Sequence, residues 1–129
     1  MRRALIEAHF QAILELLAAF PFISTSDVTF DKRSSYIGFI RGDLYFSDES
    51  LLHFRELVDL RQADACPMYV YHYQRADGSL VFRYDGTTHF PDLSKYPHHK
   101  HDGDEANVIP AEKPTLVKVI EEIGALLNG

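Results

Sequence analysis

Tryptophan is absent from this 129-residue chain, and cysteine occurs once, as Cys66. One thiol closes no intramolecular disulfide and makes no paired-cysteine metal motif. No apolar run approaches the roughly 18 residues that a membrane span needs. The first residues lead into a helix in which Glu7, His9 and Gln11 interrupt the apolar positions, unlike the apolar core of a signal segment. These absences predict a soluble protein of the reducing cytoplasm. Positive charge is short as well: 13 Lys and Arg stand against 19 Asp and Glu, a formal charge of -6. That excludes a surface adapted throughout to nucleic acid, so any polyanion contact is local. P-loop and dinucleotide motifs, H-E-x-x-H, EF-hand loops and the G-x-S-x-G elbow are all missing.

What remains is ordinary globular usage, 46% apolar and 25% charged, in a length that suits a single domain over residues 1–129. Leu5, Ile6, Phe10, Ile13, Leu14, Leu17 and Phe20 recur at helical steps, and Pro21 stops them. From Asp27 the period changes to two. Strands are expected around Val28 and Phe30, over residues 36–40, then as a pair over 44–46 and 51–60 joined by the polar turn 47–50. A clearer hairpin runs over residues 69–74 and 80–84 around Asp77-Gly78, a pair that favours tight turns. In the register this turn implies, Tyr71 faces Tyr84, Tyr73 faces Phe82 and His72 faces Arg83. One face is then aromatic and should meet the helices, while the other carries His72, Arg83 and Asp85. Residues 86–111 lose periodicity and read as a long functional loop. Pro114 opens a final helix whose apolar face carries Leu116, Val119, Ile120, Ile123, Leu126 and Leu127. The expected fold class is α+β, an antiparallel sheet of about five strands built from hairpins and flanked by N- and C-terminal helices.

The compositional anomaly is histidine. His89, His98, His99 and His101 fall within thirteen residues, beside Lys95 and Lys100. Metal-free RNA hydrolysis needs a base for the 2′-hydroxyl, an acid for the leaving oxygen and fixed positive charge for the phosphorane. His98, His99 and His101 supply titratable groups near neutrality, Lys100 and Arg83 supply charge, and His72 lies opposite Arg83. His89, Asp85, Lys95 and Arg55 are the candidates for substrate binding. The same histidines with Asp85, Asp102 and Asp104 have spacings that a metal accepts, so a metal-dependent hydrolase is a rival reading, and no metal or other cofactor is assigned. A solvated polar loop is the plainer alternative.

The string Tyr71-His72-Tyr73-Gln74, then Leu80-Val81-Phe82-Arg83-Tyr84-Asp85, His89 and Tyr96-Pro97-His98-His99-Lys100-His101 before an acidic amphipathic helix resembles the TumE-like family of toxin-antitoxin systems. The segment from Phe46 to Glu56 resembles that family's preceding hairpin, with Asp48-Glu49 where Asp-Gly is expected at the turn. The resemblance covers about residues 25 to 125. It implies a small toxin with a helix-turn-helix antitoxin as partner and a RelE-like fold. RNA as substrate for an endoribonuclease follows from the same likeness, and a non-catalytic interaction protein of the same family is the alternative. The acidic last helix and an open sheet edge offer a surface for that partner or for a homodimer.

Overall fold

The computed structural model describes residues 5–86 and 98–128. Their elements are α1 (Ile6–Ala18), β1 (Ile23–Lys32), β2 (Ile37–Phe46), β3 (Leu51–Asp59), β4 (Met68–Gln74), β5 (Leu80–Asp85), β6 (His99–Asp102), β7 (Val108–Pro110) and α2 (Leu116–Asn128). The strands form one antiparallel meander in chain order. Seven strands replace the expected five, and the difference lies chiefly in residues 98–110, where a loop was expected. Strand β6 reads His-Lys-His-Asp and has no apolar alternation. Its pairing rests on the backbone ladder to β5, which side-chain pattern does not report.

Both helices cover one face of the sheet. Ile6, Ile13 and Leu17 of α1 and Leu116, Val119, Ile120 and Ile123 of α2 are buried with Ile40, Leu44, Phe46, Leu52, Phe54, Val58 and Phe82. Tyr69, Tyr71 and Tyr73 join them, as the alternation of β4 requires. Among the described residues no helix packs on the other face, which we call the open face.

Strand β2 is continuous across Gly42, where the sequence suggested a break between residues 40 and 44. Gly42 is there for space, since a Cβ at this position would lie 2.6 Å from the Phe54 ring. Gly38 has the same role beneath α1, with Phe10 at 2.5 Å. The turn between β2 and β3 closes without glycine because Glu49 takes a left-handed φ of 68°. Asp48 stabilises it by accepting the Ser50 N–H at 3.0 Å. In the next hairpin Gly78 takes φ 88°, and Tyr71–Tyr84, His72–Arg83 and Tyr73–Phe82 pair as expected, with a bulge at Gln74 before the turn.

Candidate functional site on the open sheet face

Because the ladders are in register, one row of side chains crosses the whole sheet on the open face. It runs Asp27, Asp43, His53, His72, Arg83, His101 and Val108, from β1 to β7. Neighbouring strands are about 4.8 Å apart, so each group stands beside the next. Three imidazoles and a guanidinium therefore stand side by side. The adjacent row is Thr29, Arg41, Arg55, Val70, Asp85, His99 and Pro110.

Asp43 Oδ1 lies 2.7 Å from His53 Nδ1. This carboxylate accepts the Nδ1 proton and leaves Nε2 as the working nitrogen, the orienting arrangement common to acid-base histidines. His72 is half-buried, and that burial, aided by the Arg83 charge, lowers its pKa below the ordinary imidazole value. It is neutral at pH 7 and fit to accept a proton. Arg83 bonds the buried Asp85 through Nη2 at 2.9 Å and approaches Glu105 at 3.6 Å. Its buried Nε has no hydrogen-bond partner among the described residues. His101 donates Nδ1–H to the Glu105 carbonyl at 2.7 Å, which fixes its tautomer.

The four residues 98–101 do not share one site. Successive residues of a strand alternate faces, so His99 and His101 join Arg83 and His72, while His98 and Lys100 turn toward the helices. His98 Nδ1 meets the Tyr69 hydroxyl at 2.8 Å and its ring stacks on Tyr69. Lys100 bonds Glu122 of α2 at 3.0 Å and lies over the Phe82 and Tyr84 rings. Tyr84 donates to the same Glu122 at 2.7 Å, so Lys100 ties β6 to α2. His89 and Lys95 lie outside the described residues. Among those described, no group of three or more His, Cys, Asp or Glu is placed to hold a metal ion.

Behind the sheet is a second polar cluster. A cavity of about 340 Å³ is bounded by His9 and Ile13 of α1, Glu56, Tyr71, Cys66 and Lys113. The Tyr71 hydroxyl donates to Glu56, and burial raises the pKa of that carboxyl despite this bond and nearby Lys113. Burial also pushes the Cys66 thiol up to about 12, so it stays protonated and unreactive. A raised folded-state pKa means that Glu56 contributes most below its unfolded value, and that this stability is lost as pH rises through the folded value. Glu56→Gln keeps an oxygen for Tyr71 and does not ionise. Its melting temperature should match the native protein near pH 4 and exceed it progressively toward pH 8, as thermal unfolding at stepped pH will record.

The sequence puts His53 and Arg55 on one face without saying whether it is the polar one, and does not single out Asp43 or Arg41. The signal was present in the β2–β3 hairpin, whose register places Asp43 opposite His53 and Arg41 opposite Arg55. The apparent break at Gly42 concealed it.

The family model described as Toxin TumE matches residues 13–127. The chain belongs to the TumE toxin family. Membership gives this TumE-family chain the toxin role in a toxin-antitoxin system and implies an antitoxin partner. Neither the curated proteins nor the solved structures contain a match to it. No helix among its described residues is long and apolar enough to cross a membrane.

Proposed function

We propose that the protein is an RNA-cleaving toxin that works without a metal on the open sheet face, in the cytoplasm. The observation that carries this reading is the in-register row His53, His72, Arg83 and His101, with a carboxylate orienting His53. Neutral His72 takes the proton of a ribose 2′-hydroxyl, and the 2′-oxygen bonds to the adjacent phosphorus. The bond from phosphorus to the 5′-oxygen breaks, and protonated His53 gives its proton to that leaving oxygen. The products are a 2′,3′-cyclic phosphate and a 5′-hydroxyl. Arg83 and Arg55 stabilise the extra negative charge of the phosphorane. Arg83 has part of its charge already answered by Asp85 and Glu105, so Arg55 is the freer of the two.

The proposed site differs from that expected of a His-rich loop: His99 and His101 lie on this face but are buried, and His98 and Lys100 lie on the helix side. The RelE-like relation and a helix-turn-helix antitoxin belong to the same proposal. A homodimer through the polar outer edge of β1 is a further part of it. Incubating the purified protein with single-stranded RNA in EDTA tests the chemistry. Cleavage that persists, leaves cyclic phosphate ends and stops on 2′-deoxy substrates is expected. Loss of cleavage in EDTA overturns the metal-free route, and intact RNA under toxic expression makes the protein a non-catalytic binder.

A further inference from the structure

Arg41 and Arg55 face each other directly across β2 and β3, and both are exposed. Like charges in directly opposed positions repel and destabilise a sheet. The flanking cross-strand neighbours are Thr29 and Val70, and among the described residues neither arginine has an ion-pair partner. Asp43, two residues from Arg41 on the same face, is engaged by His53, and Asp31 by Arg33 at 2.8 Å. The acidic chain thus leaves two adjacent guanidiniums unanswered on the face that carries the imidazole row.

Beside them the surface changes character. Phe39, Leu57, Met68 and Val70, together with Arg55 and Gly86, line a shallow cavity of about 180 Å³. Met68, one of these lining residues, is 58% exposed, and exposed apolar surface of this kind marks an interaction site. A Cβ at Gly86 would strike the Tyr69 ring at 2.6 Å, so this end of the cavity has room for glycine and no larger residue. The guanidinium of Arg33, paired with Asp31, lies 6.0 Å from the Phe39 ring centroid.

We propose that this juxtaposition is a nucleotide seat for single-stranded RNA, in which Arg41 and Arg55 clasp a backbone phosphate and the Phe39, Leu57, Met68 and Val70 surface receives the neighbouring base. An apolar depression joined to paired cations matches a nucleotide, which has one apolar face and one dianionic or monoanionic end. His53 is two residues from Arg55 on the same face of β3, so the phosphate next to the seated base is delivered to the acid-base row. Arg41 thereby becomes a substrate-positioning residue. This inference rests on the RNA-cleaving reading above and adds to it where the strand binds.

The test uses fluorescein-labelled 2′-O-methyl octamers of A, C, G and U, which bind and are not cleaved because the attacking oxygen is capped. Arg41→Ala and Arg55→Ala should weaken all four octamers about equally and each reduce the salt slope by about 1. Met68→Ser should narrow the spread of affinities among the four octamers and leave the salt slope unchanged. Arg41→Thr should melt no lower than the native protein, because a like-charge pair is relieved, and this separates lost binding from lost folding. Octamer binding unaltered in both arginine variants overturns the seat. So does loss of antitoxin binding in these variants with RNA binding intact, which would make the patch a protein contact. If the native protein binds octamers in this way and cleaves nothing, the chemical reading fails and the seat stands. If it cleaves RNA and the arginine variants retain native KM, the seat alone fails.

Discussion

Replacing His72 by alanine should lower RNA cleavage by about 10²-fold or more, the range that loss of a positioned acid-base group produces. The residue stands between His53 and Arg83 in the central row, so no neighbour takes its place without moving a strand. Its pKa is held below the ordinary imidazole value by burial and then by Arg83. The pH–rate profile of the native protein should therefore rise through a limb whose midpoint lies below pH 6.5. That limb should disappear in His72→Ala, and melting curves will confirm that the variant is folded. His53→Ala should cost a similar factor. Asp43→Asn acts through His53, so it should lower kcat and leave KM near native.

Gly42→Val should be the most damaging single change to the scaffold. The new side chain would begin 2.6 Å from the Phe54 ring and 3.1 Å from Val28, in a region where Phe54 and Leu44 are wholly buried. Forcing bulk into a filled core costs about 1–3 kcal/mol. For a chain of this size that lowers the melting temperature by roughly 3–15 °C. Equilibrium unfolding measured beside Gly42→Ala should rank the two substitutions by size. Equal stability of Gly42→Val and the native protein would mean that β2 does not pass beneath Phe54.

These two positions also mark what the amino-acid sequence made legible. Alternation over residues 69–74 and 80–84, with Asp77-Gly78 between, was enough to place His72 opposite Arg83 and to send three tyrosines to the core. The helical stripes of both termini were equally plain, and so was the antiparallel, hairpin-built class. Residue 42 misled, because the apolar alternation lapses over residues 41–43 while the true constraint on glycine there is a distant aromatic ring. Histidine misled at residues 98–101 for a different reason. Charged and polar side chains carry no burial pattern, so a strand made of them looks like a loop. Once β6 exists, alternation divides the cluster between two faces, and the proximity of His98 to His101 in sequence ceases to mean proximity in a site. The Asp43–His53 pair lay within reach of register reasoning, and required only that β2 be continuous.

The central claim, that the row on the open face makes this toxin an RNA-cleaving one, is tested most directly by following total RNA integrity after inducing the native chain and its His53→Ala/His72→Ala variant without antitoxin. We expect RNA fragments to accumulate with growth arrest in the native case, and intact RNA with continued growth for the equally expressed, folded variant. Growth arrest by the variant equal to that of the native chain, or arrest by the native chain with RNA intact, would contradict it.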